Sequence, residues 1–153
     1  MSDGLILEAR QKAGGYFREG FNCGEAVLLS FKDLLFPNLD PGVVKLATGF
    51  GGGMGHAGCV CGALAAGTMV LGMMKGRTSP QESREEAYQL AHQWHERFEA
   101  EFSHTCCRAL NPYPFETPEH LRNCLKITGN TAKLLMGFLQ EKGLVDESKK
   151  ELA

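Results

Sequence analysis

Apolar residues recur at three-and-four spacing through most of the chain, and the gaps between periodic stretches carry helix start and stop signals. Residues 5–18 place Ile6, Ala9, Ala13, Tyr16 and Phe17 on one face. Gly14 and Gly15 interrupt that stretch at a cost of about 1 kcal/mol each, so packing must hold the helix. Asn22 caps the next one, Glu25 completes a capping box, and Ala26, Val27, Phe31, Leu34 and Leu35 form its apolar side. Phe36-Pro37 ends it, and Asp40-Pro41 predicts a short helix to about Thr48. Ser79-Pro80-Gln81-Glu82 predicts a long helix from Pro80 to about Ser103 that buries Ala87, Leu90, Ala91, Trp94, Phe98 and Phe102. Thr117-Pro118 opens a last helix, running to about Glu141 before Gly143. Its apolar face is Leu121, Cys124, Leu125, Thr128, Leu135, Phe138 and Leu139. The charged tail from Asp146 to Ala153 is expected to fray.

One stretch departs from this alternation. Gly49 to Met74 carries no Asp, Glu, Lys or Arg, and nine of its 26 residues are glycine. The first half is too glycine-rich to pack through side chains and reads as a loop whose backbone approaches something closely. The second half, Gly62 to Met74, reads as a helix of small and soft residues that other helices surround, with Met69, Met73 and Met74 filling core space. So many glycines argue against a membrane span. Gly53-Met54-Gly55-His56-Ala57-Gly58 matches the G-x-G-x-x-G string, but the flanks are helical and the βαβ setting of a dinucleotide site is missing. No Gly-Lys-Ser/Thr follows, which excludes a P-loop. The expected fold is all-α: one domain over residues 1–153, a helical bundle around the buried Gly62–Met74 helix.

Composition narrows the function. A net charge of −2 over 153 residues without a basic block leaves nothing to grip a phosphate backbone, so no nucleic-acid partner is expected. The N-terminal residues show no export signal, which makes a cytoplasmic protein the expectation. Six cysteines in a reducing compartment point to metal or redox chemistry before structural disulfides. No Cys-x-x-Cys pair, Cys-x-x-Cys-His haem motif or His-Glu-x-x-His zinc motif occurs. His92 and His95 are read as surface or packing residues.

The cysteines sit at helix ends. Cys23 takes the first position of the second helix, where free amides and the positive end of the dipole favour a thiolate. Cys59 and Cys61 mark the junction of glycine loop and central helix, Cys106 and Cys107 the break after the long helix, and Cys124 the inward face of the last one. Adjacent cysteines diverge, so one of Cys106 and Cys107 faces the centre, and Arg108 beside them would steady a thiolate. Cys23, Cys61, Cys107 and Cys124 thus form a set of metal-ligand candidates from four segments, suited to an iron–sulfur cluster, zinc or copper(I). Amides of the glycine loop, at Gly51, Gly52, Gly53, Gly55 and Gly58, are candidates to cradle the bound group. Two other readings stand beside this one. Metal-free thiol–disulfide exchange would use Cys59, Cys61 or Cys23 as attacking thiolate. A small-molecule or metal carrier would bind at the glycine loop.

Asn22-Cys23, Gly49-Phe50-Gly51-Gly52-Gly53-Met54-Gly55, Cys61-Gly62-Ala63, Cys107-Arg108-Ala109-Leu110 and Cys124 together resemble the C_GCAxxG_C_C family of redox-active proteins, over about residues 10–140. The resemblance implies a small all-helical protein whose four family cysteines are Cys23, Cys61, Cys107 and Cys124. The family is similar to the iron–sulfur portion of split-Soret cytochrome c, which implies a cluster site and a homodimer. Electron transfer to a redox partner protein is the function expected of four converging thiols. In one departure, the glycine expected three places after Cys-Gly-Ala is Ala66, with Gly67 following. Cys59 and Cys106 are extra thiols outside the family set.

Overall fold

The computed structural model describes residues 3–146 and 151–152, and the helical order predicted from the apolar pattern is the order it contains. Helix α1 (Asp3–Glu19) runs unbroken through Gly14 and Gly15 because Leu5, Ala9 and Ala13 are sealed against its neighbours. The Tyr16 hydroxyl donates to Asp33 of the following helix, which ties the two together and pushes the phenol up to about 12. That helix, α2 (Cys23–Leu35), starts on a complete capping box. Asn22 Oδ1 accepts from the Glu25 amide at 2.9 Å, and the Glu25 carboxylate accepts from the Asn22 amide at 3.0 Å. Val27, Leu28 and Phe31 are fully buried on it.

Asp40 caps a 3-10 turn (Pro41–Val44), which runs into the single turn α3 (Lys45–Thr48). The glycine stretch is more ordered than a loop. It contains another short turn, α4 (Gly51–Met54), whose Gly52 and Gly53 have φ of 65° and 72°, in the left-handed region that side chains disfavour. Helix α5 (Gly62–Lys75) follows, with Ala63, Ala66 and Val70 fully buried. It packs on α2 along one side. On another side it meets α6 (Glu85–Phe102), which presents Leu90, Trp94 and Phe98 to the core.

The start of α6 differs from expectation by five residues. Glu82 does not cap a helix at Pro80. Its carboxylate turns back to accept from the Thr78 amide and hydroxyl, and Arg77 holds the carbonyls of Pro80 and Glu82, so residues 77–82 close on themselves as a turn. The Ser83 hydroxyl then accepts from the Glu85 amide at 3.1 Å where the helix begins.

The single turn α7 (Cys107–Leu110) leads through a proline-rich bend to α8 (Pro118–Glu141), capped by Thr117 as predicted. Leu135, Phe138 and Leu139 of α8 are fully buried, whereas Leu121, assigned to the same apolar face, is 49% exposed. Leu121 lies in the first turn, beyond the reach of the bundle, on the wall of an open cleft. After α8 a two-residue strand β1 (Val145–Asp146) pairs antiparallel with β2 (Glu151–Leu152); the rest of the tail expected to fray, residues 147–150 and 153, lies outside the described residues. No helix among the described residues is long and apolar enough to cross a membrane.

A tight contact between α5 and α6 falls at Gly67, beside the departure at Ala66. A Cβ on Gly67 would stand 2.6 Å from Trp94 Cζ2 and Nε1, and that indole is locked by full burial and by its 3.1 Å bond to the Leu64 carbonyl. Gly67→Ala therefore loses about 1–3 kcal/mol to overpacking even after the helix-propensity gain, while Gly72→Ala, whose Cβ meets open space, gains up to about 1 kcal/mol. Urea denaturation of the two variants should move their midpoints in opposite directions.

Candidate thiol redox centre

Three helix N-termini and one helix face deliver the sulfurs. Cys23 opens α2 directly after its cap, Cys61 precedes the first residue of α5, Cys107 opens α7, and Cys124 faces inward from the second turn of α8. The four residues line one enclosed cavity of about 30 Å³, together with Gly52, Gly62, Leu110, Asn111, His120 and Ile127. Cys23, Cys61 and Cys107 are buried and Cys124 is half-buried; all are free thiols.

Backbone proximity makes this meeting possible. A Cβ on Gly62 would lie 2.8 Å from Cys23 Sγ and 2.7 Å from the Phe50 carbonyl, so only glycine lets the start of α5 reach the sulfur of α2. Gly24 sits less tightly on the other side, with the Gly62 and Ala47 carbonyls 3.2 and 3.3 Å from where its Cβ would be. Gly53 admits Cys107: its Cβ would stand 2.8 Å from Cys107 Cβ. The strand-like bridge Val60–Cys106 holds α7 to the glycine turn, with the Cys61 amide donating to Thr105 at 2.8 Å and the Cys107 amide to Cys59 at 2.6 Å.

The protons are unevenly shared. The Cys23 thiol is pulled well below the ordinary thiol value, first by a hydrogen bond from Cys124 and then by one from Cys61, against the opposing effect of burial; the amides of Gly52 and Gly24 add to the pull. Cys61 and Cys124 are both pushed up, first by donating to Cys23 and then by burial. Cys124 also lies 4.0 Å from the Thr128 hydroxyl. Burial raises Cys107, which feels Cys23 only through its charge. The centre is one thiolate, Cys23, steadied by two protonated thiols and two amides, with Cys107 lining the same cavity.

Other assigned residues fall elsewhere. Cys59 is exposed and Cys106 half-buried; neither lines the cavity, so Cys107 is the member of the adjacent pair that turns inward. Arg108 does not attend a thiol. Its guanidinium Nε donates to the Gly58 carbonyl at 3.2 Å and braces the glycine turn. Among the glycines, Gly52 supplies an amide to Cys23, Gly51 packs on Asn22, Gly53 on Cys59 and Cys107, and Gly58 on Arg108. Most of that loop is therefore filled by its own chain, and a Cβ on Gly55 would meet only open space. His92 pairs with Glu96 at 2.8 Å on the surface.

The apolar pattern gave no hint of His120 or Asn111. His120 is 6% exposed and Asn111 5%, and both line the thiol cavity. Asn111 Nδ2 donates to the His120 carbonyl at 3.0 Å, while Asn111 Oδ1 and His120 Nε2 are buried with no partner. Burial holds His120 below the ordinary imidazole value, with the charge of His56 adding to it. One signal could have found it: His120 and Cys124 are four apart on a helix, hence on one face. Beyond this cavity an open cleft of about 600 Å³ reaches Cys23 and Cys124 from outside, walled by Phe17, Phe21, Phe115 and His56. Its rim holds His56 stacked on Phe115 at 4.3 Å, and Phe115 against His120 at 4.9 Å.

Residues 21–138 match the family described as "Putative redox-active protein (C_GCAxxG_C_C)", and the chain belongs to that family. No curated protein and no solved structure matches it. Among the described residues no group of three or more His, Cys, Asp or Glu side chains is arranged to hold a metal ion as it stands.

The depressed Cys23 thiol makes the centre pH-dependent. The stability gained from its ionisation is fully present above the ordinary thiol value and is lost as pH falls through its own lower value. An ultraviolet thiolate titration should find one group ionising well below the rest, and Cys23→Ser should remove that step alone. Six thiols titrating together would refute the proton sharing described here.

Proposed function

We propose that the protein is a redox carrier whose converging cysteines hold an iron centre, as an iron–sulfur cluster or a single ion, and pass electrons to a partner protein. The observation that carries this reading is the meeting of Cys23, Cys61, Cys107 and Cys124, from four separate segments, around one enclosed cavity. The donor chemistry fits: clustered thiols are the ligands that select iron–sulfur centres and soft metals over oxygen-liganded ones. The cavity, about 30 Å³, has room for one or two water-sized bodies, and the cleft beside Cys23 and Cys124 offers the way in. The unpartnered His120 Nε2 and Asn111 Oδ1 support an occupied centre, since each orphaned buried group costs about 1–3 kcal/mol.

An iron centre would supply one-electron chemistry. The chain's own part is to hold and tune. Cys23 is already deprotonation-prone, whereas Cys61 and Cys124 must release their protons on loading, so binding should strengthen as pH rises. The amides of Gly52 and Gly24 would partly offset the added negative charge beside Cys23. The dimer implied by the family resemblance, and a cytoplasmic location, belong to this proposal.

A second reading rests on a different detail. Cys124 does most to hold the Cys23 thiol down, and both reach the open cleft while Cys61 does not. With Cys23 as attacking thiolate, two thiols would give one disulfide, two protons leaving and two electrons passing to a partner disulfide. Cys59 and Cys61 are poorer attackers on this geometry, one lying outside the centre and the other holding its proton.

Anaerobic purification with iron and sulfide quantitation and an absorption spectrum separates the two. Coloured, iron-loaded protein that bleaches in Cys23→Ser and Cys124→Ser supports the first reading. Colourless, iron-free protein that forms a Cys23–Cys124 disulfide under mild oxidant supports the second.

A further inference from the structure

The cleft that reaches Cys23 and Cys124 from outside does not end at its own rim. A groove of about 380 Å³ between α1 and α8 shares Arg18 and Leu125 with the 600 Å³ cleft, so the two adjoin. The thiol end is aromatic. Phe17 and Phe21 come from the end of α1 and its link to α2, His56 and Phe115 from the glycine turn and the proline bend. His56 and Phe115 stack within 20° of parallel, and both press on Gly52, where a Cβ would run into His56 and stand 3.2 Å from Phe115. Phe17, Phe21 and Phe115 are only half-buried, so ring surface stays open beside the sulfurs.

The far end is cationic. Arg10, Gly14 and Arg18 recur every fourth residue along α1, and Arg122 and Lys126 stand one turn apart on α8. Other cations of the chain are paired with acids: Lys12 and Lys32 with Asp33, Lys75 with Glu86, Arg97 with Glu141. Arg10, Arg18, Arg122 and Lys126 have no carboxylate partner among the described residues. Glu116 is the one acid that lines cleft or groove among those residues. A chain of net charge −2 thus collects unpaired positive charge along this one surface.

We propose that cleft and groove together bind a flat aromatic redox molecule with an acidic tail, of the flavin mononucleotide or quinone-sulfonate kind. Its ring lies against the aromatic walls beside Cys23 and Cys124, and its tail lies on Arg18 and Arg122. The cleft has the volume of a small-molecule site, and guanidinium groups suit phosphate and sulfonate oxygens. The proposal rests on the redox reading above and gives the centre a small-molecule partner. Where Cys23 and Cys124 close to a disulfide, two S–H bonds break and one S–S bond forms; the two electrons and two protons released are what a flavin or quinone ring takes up on reduction.

The test is equilibrium dialysis of the full-length protein, reduced and anaerobic, against flavin mononucleotide, its phosphate-free counterpart riboflavin, and the smaller anthraquinone-2-sulfonate. Saturable binding of at least one anion is expected, with riboflavin held at least about tenfold more weakly than flavin mononucleotide. The double variant Arg18→Gln, Arg122→Gln should bring flavin mononucleotide down to the riboflavin level. Arg84→Gln, on α6 and stacked on Tyr88 outside cleft and groove, should change nothing. The bound anion should also shield Cys124 from alkylation while the exposed Cys59 reacts as before. Saturable binding of neither anion, equal affinity for the flavin with and without its phosphate, or an unshielded Cys124 overturns the proposal; these wild-type results decide it even if the double variant fails to fold. Iron uptake without anion binding overturns this proposal alone, and anion binding by protein that takes up no iron overturns the iron reading alone.

Discussion

The N-terminal ends of α2 and α5 approach each other at a separation that only glycine permits, and the rest of the centre depends on that approach. With any side chain at position 62, Cβ would fall on Cys23 Sγ and on the Phe50 carbonyl. Gly24 makes the reciprocal concession toward Gly62 and Ala47. Two helix starts, each with free amides and a positive dipole end, are thereby directed at one small volume. Such a volume favours negative charge, and the residues brought into it are thiols.

The consequence for chemistry is a division of labour among like groups. Four thiols in one cavity cannot all ionise, since each thiolate raises its neighbours. Hydrogen bonds from Cys124 and Cys61 select Cys23 as the one that does, and two amides hold the choice in place. The same cavity contains polar atoms on His120 and Asn111 that the protein leaves without partners. Folding accepts that cost where a bound group can return it, which is why an orphaned nitrogen beside a thiolate carries more functional weight than an exposed histidine such as His92. The cleft over Cys23 and Cys124 opens the centre on one side, while Trp94, Phe98 and Phe138 close the core further down the bundle.

Features carried by a few neighbouring residues were legible in the sequence. The capping box at Asn22 and Glu25, the proline starts at Asp40-Pro41 and Thr117-Pro118, and the central helix from Gly62 all lie where their local chemistry puts them. So does the inward turn of Cys107 over Cys106. What failed depended on which partner won a competition. Ser79-Pro80-Gln81-Glu82 has the form of a helix start, but Thr78 and Arg77 recruit Glu82 and its carbonyl first. Arg108 looked like a thiolate partner by adjacency, yet the Gly58 carbonyl is nearer to hand. Leu121 fits the helical period and still lies outside the bundle. His120 was missed because a single histidine in a first turn has no periodic signature; its meaning comes from Asn111 and the cavity, which only the fold assembles.

Sulfur anomalous diffraction from crystals grown anaerobically would measure the central feature most directly. The account predicts the anomalous peaks of Cys23, Cys61 and Cys124 grouped at the glycine turn, with Cys107 adjacent and the exposed Cys59 outside the group. Peaks for Cys23 and Cys61 separated by intervening side chains, with residue 62 turned away from α2, would contradict it.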